Sequence, residues 1–164
     1  MVQLQAGIRA MEYRVVIPDE VFAILQWENE GLPAVCVVNQ ALANFEPKVV
    51  FSWHLSIIVQ CNELAENGMP TPGERLTLDQ IDQEFDNRLK EDGNALFLAR
   101  ITWNSCRQLL YRVYDPEVAN QYLTEIIESE SQTREFEFRM EDDETWEHAK
   151  FYLSQWEDDP TIQP

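Results

Sequence analysis

The feature that most constrains the fold is a pair of apolar segments within residues 94–116. The segments ALFLARITW and CRQLLYRVY are separated only by Asn104-Ser105. Two apolar runs around a two-residue turn are typical of a β-hairpin. In that hairpin Trp103 is expected to lie opposite Cys106, and the pairing runs outward from there.

Both faces of this hairpin are expected to be largely apolar, because side chains alternate between the two faces of a strand. A surface hairpin would show one polar face, so the pattern predicts a central hairpin with other elements packed on each side. One face is predicted to carry Leu96, Leu98, Arg100, Thr102, Arg107, Leu109, Tyr111 and Val113. The other is predicted to carry Phe97, Ala99, Ile101, Trp103, Cys106, Gln108, Leu110, Arg112 and Tyr114.

Four further segments are predicted to be strands. Val21 to Trp27 and Ala34 to Asn39 flank a turn at residues 28–31, which indicates a second hairpin near the N-terminus. Phe51 to Val59 and Arg134 to Met140 alternate apolar and polar residues, as half-buried strands do.

Three segments are predicted to be helices. The first spans about residues 78–91, with Thr77 as its cap, and the second begins at Asp115-Pro116. The third is expected to open at residues 141–144, where Asp142 or Asp143 caps it, and to dock Trp146 on the domain. The first helix has one apolar stripe, formed by Leu78, Ile81, Phe85 and Leu89.

The order of these elements predicts an α+β fold. From residue 51 to residue 140 it is β-α-β-β-α-β, which is typical of a ferredoxin-like sheet with both helices on one face. The N-terminal β-hairpin and the C-terminal helix are additions, and either one of them or a partner chain is expected to cover the second face. The 164 residues are predicted to form a single domain, 1–164, with its core at about residues 21–156 and a loose tail over residues 158–164.

The composition limits the kinds of partner. The net charge is -18, so the surface should repel the phosphates of nucleic acid and favour a basic protein, unless the charge only maintains solubility. No apolar run approaches the ~18 residues of a membrane span, and none resembles a signal peptide. The three separated cysteines indicate buried thiols in a reducing compartment, so a cytoplasmic location is expected.

Catalytic and metal-binding patterns are absent from the sequence. There is no Gly-rich phosphate loop, no His-Glu-x-x-His and no Cys-x-x-Cys. His54 lies on the polar face of its strand, where an exposed or hydrogen-bonded histidine is expected, and His148 could meet it only through the fold. Asp79, Asp82 and Asp86 are interpreted as acids that complement a helix start and face solvent. We therefore expect no enzymatic activity, no metal and no cofactor.

Several short motifs, in this order, resemble an uncharacterised bacterial domain-of-unknown-function family related to regulator of ribonuclease activity B. The resemblance covers about residues 27–156. The motifs are Trp27-Glu28, Glu30-Gly31-Leu32-Pro33, Val37-Val38-Asn39, Gly68-Met69-Pro70, the hairpin residues Thr102, Arg107 and Tyr114, and Asp142-Asp143-Glu144-Thr145-Trp146. The resemblance implies a small, acidic, ferredoxin-like protein, and the named relative binds and inhibits an endoribonuclease. It supplies no catalytic residues.

Together these observations predict a non-catalytic acidic protein-binding module that regulates or inhibits a basic partner such as a ribonuclease. The alternatives are an immunity-type protein that neutralises a nuclease toxin, a structural homodimer, and an enzyme with a dispersed site. The residues predicted to contact the partner are Glu141, Asp142, Asp143 and Glu144.

Overall fold

The computed structural model describes residues 2–5 and 12–157, so the predicted tail at residues 158–164 lies outside the described residues. Within this range the fold is α+β and is built on one six-stranded antiparallel sheet. A separate two-stranded sheet pairs β1 (Val2–Gln5) with β2 (Glu12–Val15). The strands of the large sheet are β3 (Phe22–Asn29), β4 (Leu32–Asn39), β5 (Trp53–Gln60), β6 (Ala95–Trp103), β7 (Cys106–Val113) and β8 (Phe136–Asp142).

The strands of the large sheet lie in the order β3-β4-β6-β7-β5-β8. The prediction that the segments now named β5, β6, β7 and β8 share one sheet is confirmed. The N-terminal hairpin, which the sequence presented only as an addition, continues this sheet because β4 pairs with β6 from Val38↔Ala99 to Ala34↔Trp103. Strands β3 and β8 are therefore the two edges of the sheet.

The central hairpin forms around the predicted turn. Asn104 and Ser105 have φ values of 41° and 71°, and Trp103 pairs with Cys106. Two consecutive positive φ values are those of a type I′ turn, whose twist matches that of the flanking strands.

The predicted faces of this hairpin are correct from Ala99 onward and wrong for residues 96–98. Phe97 pairs with Tyr111 and Ala99 pairs with Leu110, so Leu98 is an additional residue in β6. This bulge reverses the alternation, and Leu96 joins the core on the side opposite the one predicted. Residues 95–99 are all apolar, so no polar side chain at the bulge indicated the reversal.

Replacing Ser105 with glycine is expected to stabilise the protein by about 0.5–1 kcal/mol, because glycine adopts a positive φ without steric cost. The main-chain bonds of Ser105, to Gly68 O and from Cys61 N, do not require its side chain. Urea denaturation of both proteins measures the difference. Gly31→Ala is the control and is expected to destabilise the protein. Gly31 has a φ of 77°, and a Cβ there meets nothing within 4 Å, so the loss of stability would come from the backbone conformation alone. An S105G protein less stable than the parent would contradict this account of the turn.

The first helix begins earlier than predicted. Helix α1 spans Pro72–Leu89, and its cap is Thr71, whose hydroxyl accepts a hydrogen bond from the Glu74 N–H over 3.3 Å. The predicted start at Thr77 is wrong because Thr71-Pro72 provides both a cap and a proline at the first helical position. The four predicted stripe residues, from Leu78 to Leu89, are all buried.

Helix α2 spans Pro116–Glu128 and begins as predicted, since the Asp115 carboxylate accepts a hydrogen bond from the Glu117 N–H at 3.0 Å. The two helices share one apolar core with β5, β6, β7 and β8 on one face of the sheet. In that core Phe85 contacts Phe136 edge to face, with 5.1 Å between ring centroids.

The opposite face of the sheet is covered by two segments of this chain. Residues 40–51 contribute two short 3-10 turns, with Phe45 and Phe51 fully buried. The C-terminal segment contributes Trp146, Ala149 and Leu153. This segment is not one helix but two 3-10 turns around the short α3 (Lys150–Leu153), and residues 141 and 142 belong to β8. The predicted helix start at residues 141–144 is therefore wrong.

Candidate functional site

A groove runs along α1 on the helical face of the sheet. The two helices pack on β5, β6, β7 and β8. They do not extend over β3 and β4, so the same face of these two strands is not covered by a helix. The space left beside α1 has a volume of about 340 Å³, which is within the usual range of binding sites. Its sheet side is formed by Phe22, Val37, Phe97, Leu109 and Tyr111.

One wall of the groove is acidic. Asp79, Asp82 and Asp86 project from α1 at helical spacing, and each is held by a donor from the sheet. The Asp79 and Asp82 carboxylates both pair with the Arg107 guanidinium at 2.8 Å, and the Arg107 side chain is only 3% exposed. Asp86 accepts a hydrogen bond from the Tyr111 hydroxyl at 2.9 Å.

This arrangement corrects the interpretation of the three aspartates. Because α1 begins at Pro72, Asp79 stands two turns into the helix and does not complement its start. The side chains instead pair with cations that the alternating β6 and β7 strands direct onto the helical face, including Arg100 at 3.3 Å from Asp82. Among residues 2–5 and 12–157 there is no group of three or more His, Cys, Asp or Glu side chains placed to hold a metal ion.

Burial alters the electrostatics at the base of the groove. It raises the pKa of the Asp82 carboxyl above its ordinary value, although Arg107 and Arg100 oppose the rise. Within the described chain, Asp82 Oδ1 and Arg107 Nε are buried without a hydrogen-bond partner. The cluster therefore retains unused hydrogen-bonding capacity.

The other wall of the groove is apolar and exposed. It is formed by Phe22 of the edge strand β3, which lines the groove and is 56% exposed. Ile24, two residues further along the same face of β3, is 66% exposed and continues this apolar surface beside the groove. The Phe22 ring meets Phe97 edge to face at 6.0 Å, which holds it over the groove. Adjacent exposed aromatic and branched side chains beside a cleft are typical of a binding surface.

The groove carries an excess of negative charge. Four carboxylates line it, from Glu20, Asp79, Asp82 and Asp86, against the two cations Lys90 and Arg100 in its lining and the buried Arg107 beneath, so one negative charge is left over. Lys90 joins the two walls at one end, since its ammonium lies 2.8 Å from Asp86 and 2.9 Å from Glu20. Acidic and apolar walls together suit a ligand with both cationic and apolar groups.

The predicted partner-contact residues lie elsewhere, at the end of the opposite edge strand β8. Glu141, Asp142 and Glu144 are exposed, whereas Asp143 is buried. The Asp143 carboxylate accepts hydrogen bonds from the main-chain N–H groups of Glu147 at 2.9 Å and His148 at 3.0 Å. Asp142 or Asp143 was predicted to cap a helix that opens at residues 141–144; no helix begins there, and Asp143 instead holds the 3-10 turn Glu147–Ala149. The proposed contact role of the exposed acids stays a prediction.

The fold brings the two histidines together beside this acidic segment. The His54 and His148 rings stack with 4.7 Å between centroids, and His148 Nε2 lies 2.8 Å from a Glu141 carboxylate oxygen. His54 is 7% exposed, and burial, with further effects of Arg112 and His148, lowers its pKa to about 4. His54 is therefore a neutral, buried histidine at neutral pH.

Lowering the pH from 6.5 to 5 is expected to destabilise the wild type by about 1–2 kcal/mol more than a His54→Gln variant. The unfolded chain binds the His54 proton near pH 6.5 and the folded chain only near pH 4, so acidification through this window favours unfolding. Urea denaturation at both pH values measures the effect. An NMR titration in which His54 ionises between pH 6 and 7 would contradict the buried environment described for it.

Sequence reasoning missed the groove although it predicted the elements that form it. The run from Val21 to Trp27 indicated a strand, and the stripe on α1 indicated which helical face is buried. Neither pattern states how far the helices extend across the sheet, so the exposure of Phe22 and Ile24 was not predictable. The pairing of Arg107 with Asp79 and Asp82 also depends on a contact between distant segments.

A model of a protein family matches residues 24–154, and the family is described as a family of unknown function (DUF695). The match begins within β3 and includes the whole of α1, so it contains the acidic wall of the groove, whereas Phe22 and Glu20 precede it. No curated protein and no solved structure matches the chain. No helix of residues 2–5 and 12–157 is long and apolar enough to cross a membrane.

Proposed function

Because the chain belongs to this family of unknown function, DUF695, which assigns it no reaction, we propose a function from the groove itself. The protein is a non-catalytic binding module that holds a basic segment of a partner protein between β3 and the acidic side of α1. The observation that carries this proposal is the pairing of an exposed apolar wall, Phe22 and Ile24, with the carboxylates of Asp79, Asp82 and Asp86.

The charge of the whole chain supports a basic partner. A net charge of -18 attracts a basic protein over long range and speeds the encounter, in a manner that salt suppresses. The apolar wall then supplies contacts that salt does not screen. A basic ribonuclease is the kind of partner that the resemblance to regulator of ribonuclease activity B favours.

We also propose how the fold is built and how the groove arises from it. The strand order β6-β7-β5-β8, with α1 and α2 on one face, supports a ferredoxin-like unit to which β3 and β4 are added. The groove lies where the added hairpin extends the sheet beyond the helices. Exposed Glu141, Asp142 and Glu144 at the opposite edge are proposed as a second acidic surface that strengthens the long-range attraction.

The experiment is a comparison of three immobilised proteins, the wild type, Ile24→Glu and Leu76→Glu, in capturing proteins from a cell lysate. Ile24 and Leu76 are 66% and 69% exposed, so both changes should leave stability within about 0.5 kcal/mol, which thermal unfolding verifies. The expected result is a set of basic proteins that the wild type and L76E retain and that I24E loses. Identical capture by I24E and L76E would contradict the assignment of the groove as the binding site.

A further inference from the structure

We propose that the partner segment binds as an additional β-strand on the free edge of β3. This inference rests on the proposed function and adds where the main chain of the partner segment lies: along the edge of β3 that faces away from β4, with the side chains of its helical face directed over Phe22 and Ile24 toward the groove. Strand addition gives affinity through main-chain hydrogen bonds and specificity through alternate side chains. The occupant is an extended segment whose alternate side chains, those on the helical face, are apolar opposite Phe22 and Ile24 and basic toward Glu28.

The edge of β3 has the regularity that strand addition requires. Its eight residues pair with β4 without a register shift, from Phe22↔Asn39 to Asn29↔Leu32. In the described part of the chain no strand pairs with the side of β3 that faces away from β4. A long and regular edge strand of this kind is a template for another chain.

The hairpin turn determines which main-chain groups point outward. Residues 30 and 31 form a two-residue loop, so the flanking pair Asn29 and Leu32 exchanges hydrogen bonds. Along β3, the main-chain N–H and C=O groups of the odd-numbered residues therefore point toward β4. The hydrogen bond from the Gln40 N–H to Val21 O at 2.8 Å agrees with this alternation. The outward-pointing N–H and C=O groups are those of Phe22, Ile24, Gln26 and Glu28.

The opposite edge of the sheet lacks this property. Strand β8 carries the exposed charged residues Glu137, Arg139 and Glu141 at alternate positions. Charged side chains on an edge strand discourage pairing with other chains. Strand β3 has only one charged residue, Glu28, near its end, and its side chains at 22 and 24 are apolar and exposed.

Side chains indicate the chemistry of the added strand. Residues directly opposite Phe22 and Ile24 would lie about 4.5–5.5 Å away between Cβ atoms, where apolar side chains pair favourably. A residue opposite Glu28 would be basic, and Glu20 and Glu30 flank the strand with further negative charge. A second copy of this chain fits less well, because each copy carries a net charge of -18.

The test uses a labelled ten-residue peptide in which threonine occupies every second position and the positions between carry two valines followed by lysines, and a control peptide with glutamate in place of lysine. Binding is measured by fluorescence anisotropy to the wild type, Gln26→Pro and Gln26→Thr. Gln26 is exposed, and proline there removes one outward N–H while leaving the bonds to β4, whereas threonine keeps that N–H. The expected result is a dissociation constant at least tenfold weaker for Q26P and within twofold of the wild type for Q26T.

Amide exchange measured by NMR on the wild type gives an independent readout if Q26P does not fold. The amides of Ile24, Gln26 and Glu28 are expected to become protected from exchange when the lysine peptide binds. Binding of this peptide without that protection and without a Q26P effect would overturn strand addition while leaving the proposed function standing. Absence of binding, or equal binding of the glutamate peptide, would contradict both. A dimer that Q26P abolishes would assign the edge to a second copy and overturn the proposal.

Discussion

Replacing Asp143 with alanine is expected to lower the free energy of unfolding by about 3–5 kcal/mol, because it removes the partner of a buried cation. The Arg112 guanidinium is fully buried, and its Nη1 atom lies 2.9 Å from Asp143 Oδ2. Loss of the carboxylate also leaves the main-chain N–H groups of Glu147 and His148 without the acceptor of their hydrogen bonds. Burial alone would raise the pKa of Asp143, but the His148 N–H and Arg112 lower it, so the group is charged at neutral pH.

The control for this prediction is Asp142→Ala, which removes an exposed carboxylate from the adjacent position and should cost less than about 0.5 kcal/mol. An Arg112→Met change combined with Asp143→Ala should cost less than the sum of the two single changes, because neither charge is then left alone. Urea denaturation of the four proteins gives these values. A loss below about 1 kcal/mol for D143A would contradict the buried ion pair.

Replacing Trp146 with alanine is expected to cost about 3–5 kcal/mol, because it opens a large cavity in the core on the face opposite the helices. Trp146 is 1% exposed and stacks on Phe45 with 5.6 Å between ring centroids. Its indole N–H donates to the main-chain oxygens of Lys48 and Phe51, each at 3.0 Å. The residue thus joins the C-terminal segment to residues 40–51.

Phe151→Ala is the matched control, since Phe151 lies in the same segment but is 62% exposed. Its removal should cost less than about 1 kcal/mol. Thermal unfolding and urea denaturation of both variants check the difference. Similar stability of W146A and F151A would show that the C-terminal segment does not cover the core as described.

The elements of the fold were largely predictable because their signals are local. The turn at Asn104-Ser105, the cap at Asp115 and the alternation of β5 each depend on a few neighbouring residues. The bulge at Leu98 was not predictable, because an apolar run satisfies either face of a sheet equally well. The C-terminal segment was predicted as a helix from its acids, yet Asp143 serves a distant arginine as well as its own turn.

The candidate site was less predictable because it depends on contacts between distant segments. The spacing of Asp79, Asp82 and Asp86 places them on one side of α1, but only the pairing of β7 with its neighbours brings Arg107 beneath them. The residues predicted from the sequence to contact a partner, Glu141 to Glu144, were chosen because they are four consecutive acidic residues. A run of acidic residues in the sequence does not show whether an apolar surface lies beside it in the fold. The groove combines an acidic wall with an apolar wall.

The central claim, that the groove beside β3 and α1 holds a basic segment, is tested most directly by an NMR map of peptide binding. The lysine peptide is titrated into the isotopically labelled wild type at low salt, and amide shifts are followed along the chain. We predict that the largest shifts fall on residues 22–28 and 79–86. Shifts centred on Glu141, Asp142 and Glu144, with residues 22–28 unchanged, would contradict the claim.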